Sequence, residues 1–158
     1  MTKCLDSAKL ATAIEEAVDG SVCQDSSDEL LLEIDKLLEV LWFLKTEETL
    51  DFQLLNSITA VDYVESFQLV YHLTSLRHNH CTVVKANIYD RLNPTAPSAI
   101  SIWRGADYQE REVYDLMGIK FDNHPNLKRL LLWEGFEGHP LRRDYLEPPL
   151  PYSWPQGG

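Results

Sequence analysis

Nine residues, Glu110 to Gly118, read EREVYDLMG and hold the carboxylates of Glu110, Glu112 and Asp115 beside one guanidinium, Arg111. Carboxylates gathered this closely can share a proton as a general acid–base pair, ligate a cation, or accept fixed donors as structural anchors. Helical geometry separates them. At about 100° per residue, Ala106, Val113 and Met117 share one face with Tyr114 at its edge, and Glu110 falls among them. Asp107, Arg111, Glu112 and Asp115 point elsewhere, with Arg111 and Asp115 at the i, i+4 spacing of a surface ion pair worth ~0.3–0.5 kcal/mol.

A carboxylate on an apolar face must meet a cation, meet a set of donors, or take up a proton, because left charged and alone it costs several kcal/mol. The candidate cations lie downstream at Arg129, Arg142 and Arg143. With no histidine or nucleophile adjoining Glu110 in sequence, the reading is a buried anchor that clamps the C-terminal segment. A proton carrier is the alternative. His78-Asn79-His80-Cys81 with His124 matches no zinc spacing and reads as a solvated turn. The chain has no G-x-G-x-x-G, P-loop, G-x-S-x-G or C-x-x-C. Cys4, Cys23 and Cys81 are scattered, which fits a reducing compartment, supplies no cluster ligands and makes them small structural hydrophobes.

The elements that position these residues follow from periodicity. Leu10, Ile14, Ala17 and Val18 repeat at helical spacing from Ser7 to Val18, with Gly20 as a stop. Leu30 to Ile34 reads as a short buried strand, and Asp35 as the N-cap of a helix over Lys36 to Lys45. From Leu50 the period becomes two, with Leu50, Phe52, Leu54 and Ile58 facing one way. Phe67, Leu69, Tyr71 and Leu73 and then Thr82, Val84, Ala86 and Ile88 repeat the alternation around Arg77 to His80, which predicts an antiparallel hairpin. Ser98 can cap a helical segment that passes Trp103 and reaches Met117, with Gly118 in the left-handed C′ conformation. The expected fold class is α+β: N-terminal helices packed on one face of a mainly antiparallel sheet, then the motif helix, then an extended tail.

Two segments are expected. Residues 1–132 form a single α+β domain, and residues 133–158 form an extended C-terminal tail with five prolines and the aromatics Trp133, Phe136, Tyr145, Tyr152 and Trp154. Disordered linkers are poor in aromatics, so the tail is expected to lie across a protein surface, and its removal to leave a folded core. Net charge is −11. Residues 1–65 hold 15 acids and 4 bases while the remainder holds 10 of each, so nucleic acid is an unsuitable partner. The longest apolar run, Val40 to Leu44, is too short to cross a bilayer, and the first residues lack the pattern of a signal peptide.

The run from Ala106 to Tyr145 resembles the thirty-kilodalton subunit family of respiratory complex I, also called the C subunit of NADH-quinone oxidoreductase or, in cyanobacterial and plastid enzymes, the J subunit. The matching residues are Glu110-Arg111-Glu112, Tyr114-Asp115, Gly118-Ile119, Phe121, His124-Pro125, Leu127, Arg129-Leu130-Leu131, Glu134, Gly138-His139-Pro140-Leu141-Arg142 and Asp144-Tyr145; Arg143 stands where lysine is common. Looser likeness at Ile58 to Tyr63 and Val70 to Leu73 extends the resemblance from about Leu50 to Tyr145.

The resemblance implies a non-redox member of the quinone module, in the hydrophilic arm of a proton-translocating NADH:quinone oxidoreductase. It implies enzymatic activity only at the level of the complex, with no catalytic residue, cofactor or metal on this chain. Iron–sulfur clusters, flavin and quinone would belong to neighbouring subunits. The implied partners are the large quinone-cavity subunit, of the forty-nine-kilodalton type, and the adjacent iron–sulfur subunits. The complex would be peripheral on the cytoplasmic side of the cell membrane, or on the matrix or stroma side, and this chain would meet the membrane only through other subunits. Glu110, Arg129 and Arg142 would be structural anchors. Arg111, Glu112, Asp115, Arg143, Asp144, Tyr145 and Trp154 would be subunit-interface residues, with intrasubunit pairing as the alternative for the charged ones. His124-Pro125 and His139-Pro140 read as turn formers. The rival assignments are the counterpart subunit of a membrane-bound energy-converting nickel–iron hydrogenase and a free-standing assembly scaffold.

Overall fold

The computed structural model describes residues 3–23 and 30–146. Its elements are β1 (Lys3–Cys4), α1 (Ser7–Ala17), β2 (Leu30–Leu32), α2 (Leu37–Thr46), β3 (Leu54–Asp62), β4 (Phe67–Ser75), β5 (His80–Ile88), β6 (Thr95–Pro97), α3 (Ala106–Met117) and β7 (Lys120–Asp122). This is the α+β fold expected, with three helices and a mainly antiparallel sheet.

The long strands carry the alternation read from sequence. β3, β4 and β5 form an antiparallel meander, with Tyr71 paired to Ile58 on one side and to Val84 on the other. Phe67, Leu69, Tyr71 and Leu73 project into one core with Val84, Ala86 and Ile88. His72 and Val83 are exposed on the opposite face. β1 and β2 then add in parallel along the outer edge of β5, with Cys4 opposite Cys81 and Leu31 opposite Lys85.

All three helices feed that core. α1 contributes Leu10 and Ile14, α2 contributes Leu37, Val40, Leu41 and Leu44, and α3 contributes Ala106, Val113 and Met117. The four α2 side chains are completely buried, each stabilising by about 1.5–3 kcal/mol. Asp6 caps α1 by accepting the Ala8 N–H at 3.1 Å.

Three expectations change. Asp35 is not an N-cap: it lies inside a 3₁₀ turn, Ile34–Lys36, that leads directly into α2, and Lys36 occupies the cap position without a side-chain capping hydrogen bond. Leu54 does not face the core with Ile58. The β3–β4 register shifts between Leu55 and Ser57, so Leu55 is buried while Leu54 is exposed. A bulge inserts one residue and inverts the alternation on its two sides. Nor does the motif helix begin near Ser98. Residues 100–105 form successive turns, and α3 starts at Ala106.

The short parallel pair of β6 and β7, Ala96 opposite Phe121, brackets α3 and brings the chain before it beside the chain after it. Gly118 ends α3 at φ 71°, as expected of a left-handed C-terminal glycine.

Candidate functional site

α3 carries the charged motif, and its buried residues include Glu110, Arg111 and Asp115 as well as Ala106, Val113 and Met117. Two polar centres result, one inside the core and one at the helix's outer end.

The inner centre is Glu110, whose side chain is fully buried. Its Oε1 accepts the Ala99 N–H at 2.6 Å and its Oε2 accepts the Ser98 hydroxyl at 2.6 Å. The buried His124 ring approaches from the loop after β7, with Nε2 3.9 Å from Glu110 Oε2 and 3.4 Å from Asp107 Oδ1. His124 Nδ1 accepts the Asn126 N–H at 3.1 Å, which leaves the ring proton on Nε2, where it is donated to the Asp107 carbonyl oxygen at 3.3 Å. The buried Tyr71 hydroxyl, without a hydrogen-bond partner among the described residues, is pushed to higher pKa by burial and then by Glu110.

Burial raises the Glu110 pKa, and the Ser98 and Ala99 donors offset only part of that rise, leaving it at about 7. No arginine reaches it among the described residues. The expected pairing of Glu110 with Arg129, Arg142 or Arg143 is therefore corrected: the turns before α3 bring a hydroxyl and a backbone amide to the inward carboxyl, and Arg129 and Arg142 are engaged elsewhere. Ser98, His124 and Tyr71 are members of this centre that sequence spacing did not reveal. Chemically the centre can hold or release one proton near neutrality. Ser98 gives its proton to a carboxyl oxygen rather than to an imidazole, so it is not arranged as an activated nucleophile.

The outer centre is Asp115, also fully buried. Arg129 Nη1 donates to Oδ1 at 2.8 Å, while Oδ2 accepts the successive N–H groups of Leu130, Leu131 and Leu132 at 3.0, 2.7 and 2.9 Å. Burial alone would raise this carboxyl; the Leu132 N–H, Arg129 and the Leu131 and Leu130 N–H groups outweigh it and hold it at about 2. Asp115 is thus an anchor rather than a surface charge. Arg111 does not pair with it, being buried with Nε on Lys128 O at 3.2 Å.

Around Asp115 the C-terminal segment completes the helix end. The last four carbonyls of an α-helix lack partners from within the helix. Here Tyr114 O takes the Gly118 N–H at 2.9 Å, Asp115 O takes His139 Nδ1 at 2.9 Å, Leu116 O takes the Leu141 N–H at 3.1 Å, and Met117 O takes Arg142 Nε at 2.5 Å. Arg129 Nη2 reaches Gly138 O at 3.0 Å. The segment is also tied to β3: Asp62 pairs with Arg91 and accepts the Arg143 N–H at 2.8 Å, and Asp144 stands 3.4 Å from Arg91. Tyr145 stacks on Phe136 with centroids 6.1 Å apart.

Of the residues assigned to an interface, Arg111 and Asp115 are therefore internal, Glu112, Arg143 and Asp144 are exposed, and Tyr145 is half-buried. Trp154 and residues 147–158 lie outside the described residues. Arg129 donates to the Asp115 carboxylate, and Arg142 donates to the Met117 carbonyl at the end of α3. His124 and His139 are bonded members of the two centres rather than turn formers alone. Among the described residues no group of three or more His, Cys, Asp or Glu side chains is placed to hold a metal ion, and no helix is long and apolar enough to cross a membrane.

Residues 30–149 match the family described as "Respiratory-chain NADH dehydrogenase, 30 Kd subunit". The NADH-quinone oxidoreductase C subunit of Roseiflexus castenholzii is 36% identical over 140 residues, covering 87% of this chain and 80% of that protein. Its Moorella thermoacetica counterpart is 45% identical over 118 residues, 73% of this chain and 78% of its own. Among solved structures, one chain of the membrane-bound sulfane sulfur reductase, an archaeal respiratory membrane complex, superposes with a TM-score of 0.71 at 25% identity, covering 87% of this chain and 84% of that one.

Proposed function

The chain belongs to the 30 Kd subunit family of respiratory-chain NADH dehydrogenases, and from that premise we propose that it is a non-redox structural subunit of the quinone module in the peripheral arm of a proton-translocating NADH:quinone oxidoreductase. In this reading it holds the large quinone-cavity subunit and the adjacent iron–sulfur subunits in place. It binds no cofactor itself, and it meets the cytoplasmic face of the membrane, or its organellar equivalent, only through the complex.

One observation carries the proposal. Two of the motif's charges, Arg111 and Asp115, are spent on fixing the segment after α3, and that fixed segment presents large apolar side chains outward: Leu131 is 61% exposed, Trp133 69% and Leu141 60%. A rigid segment that displays side chains of this size is suited to docking, because little ordering entropy remains to be lost when a partner covers it. Glu112, Arg143 and Asp144 are exposed charged groups that the same partner could meet.

The test is assembly. Trp133→Ser and Leu141→Ser, alone and together, are predicted to leave the chain folded, with unchanged far-ultraviolet circular dichroism, while reducing its recovery with the tagged large partner. Normal recovery of the double variant would overturn the docking role. A second reading is favoured by the likeness to a sulfane sulfur reductase chain: the equivalent subunit of another respiratory membrane complex, the hydrogenase type included. Identification of the electron-input subunits that co-purify with the chain decides between them.

A further inference from the structure

The N-terminal strand β1 is attached lightly. It is held by the Lys3 N–H on Asn79 O at 3.1 Å and the Leu5 N–H on Cys81 O at 3.0 Å, and both of its residues are exposed. Within this short pairing Cys4 stands directly opposite Cys81, and the two sulfurs are 3.0 Å apart, sharing a hydrogen bond that either thiol can donate. Adjacent strands run about 4.7–4.9 Å apart, which falls within the Cα separation of ~4.4–6.8 Å that a disulfide accepts. The backbone is therefore already placed for a covalent link. We propose that Cys4 and Cys81 form a reversible intrachain disulfide that staples the N-terminal strand to β5.

Exposure sets the order of events, since Cys4 is open to solvent and Cys81 is half-buried behind it. The oxidant is a low-molecular-weight disulfide, RS–SR. The Cys4 thiolate attacks one of its sulfurs, forming the Cys4–S–S–R bond and expelling RS⁻. The Cys81 thiol then loses its proton to solvent and attacks Cys4 Sγ, forming the Cys4–Cys81 bond and expelling the second RS⁻. Two protein thiols are oxidised by two electrons, and RS–SR is reduced to two RSH once the released protons are taken up. The link joins residues 77 positions apart and would restrict the unfolded chain over everything from β1 to the start of β5. Cys23 serves as the internal comparison, since its thiol donates to Glu33 Oε1 at 3.2 Å.

The experiment treats the full-length chain with oxidised glutathione at about pH 8, where thiols are appreciably ionised, then alkylates and maps the peptides by mass spectrometry. Alkylatable thiols should fall from three to one, with Cys23 modified and a linked Cys4–Cys81 peptide present, and dithiothreitol should restore all three. Cys4→Ser, at an exposed position, should abolish the link without unfolding the chain. Recovery of Cys4 and Cys81 as alkylated thiols or as separate glutathione adducts, or a link from Cys23 to either, would overturn the proposal.

Discussion

Arg129 Nη1 stands 2.8 Å from Asp115 Oδ1, and the other oxygen of the same carboxylate gathers the three N–H groups that follow Arg129 in sequence. One side chain thus fixes both the charge and the backbone of the segment that leaves α3. Asp115→Asn keeps the shape but loses the charge, leaving Arg129 without its counter-ion and replacing an acceptor oxygen by a donor. The expected cost is about 3 kcal/mol. In wild type the folded pKa of about 2 lies below the ordinary aspartate value, so this stabilisation is complete above about pH 4 and disappears as pH falls toward 2. Urea midpoints measured from pH 6 to pH 2 should therefore converge for wild type and Asp115→Asn; parallel lines would remove Asp115 as the source.

Glu110 has the opposite sign. Its folded pKa of about 7 lies above the ordinary glutamate value, so the native state binds the proton more tightly than the unfolded chain does. Its contribution is fully present below about pH 4.3 and is lost as pH rises to about 7, up to about 3 kcal/mol in all. Glu110→Gln resembles the protonated carboxyl and removes this dependence. An arginine partner would have made the substitution costly at neutral pH. The donors found here, Ser98 and Ala99, predict instead that Gln gains on wild type between pH 5 and pH 8 in chemical denaturation, and a gap that widens in favour of Glu would refute that.

The periodicity of residues 67–88 sufficed to place β4, β5 and their hairpin because both strands are long and present one apolar face to the helices. The direction of the side chains in β3 could not be read in the same way, since a bulge between Leu55 and Ser57 is a property of its pairing with β4 and leaves no mark in composition. The helical projection found Glu110 inside correctly. It put Asp115 at the surface because it considered α3 alone, whereas residues 128–142 return over that side. The donors to both carboxylates are mostly backbone N–H groups, which every residue but proline carries, so no side-chain pattern announces them. The resemblance to a family located the important segment without revealing which charges were already satisfied within it.

Gly118 sits at φ 71°, where a Cβ would be strained, and that Cβ would also lie 2.6 Å from Arg142 Nη2 and against the His139 ring. Gly118→Ala is expected to cost about 2–3 kcal/mol, more than the ~1–2 kcal/mol of left-handed strain alone, because His139 and Arg142 must move off the helix end. Hydrogen exchange should report faster exchange of the Leu141 amide, which bonds to Leu116 O, with amides in β4 little changed. Equal protection of Leu141 in both proteins would mean that the segment is not held through this contact.

Truncation before residue 133 tests whether the C-terminal segment is an appendage or a part of the domain. A tail that only crossed a partner could be removed without cost to the core. In the structure its removal strips His139, Leu141 and Arg142 from the carbonyls of Asp115, Leu116 and Met117, and removes the Arg143 N–H from the buried Asp62 carboxylate. At about 0.5–1.5 kcal/mol for each hydrogen bond, and more where a charged group is left short of a donor, the loss should exceed about 3 kcal/mol. That is a large part of the stability of a domain this size. The truncated chain should therefore melt well below the full chain in isolation, before any partner is added, and an unchanged melting temperature would return residues 133–146 to the role of an appendage.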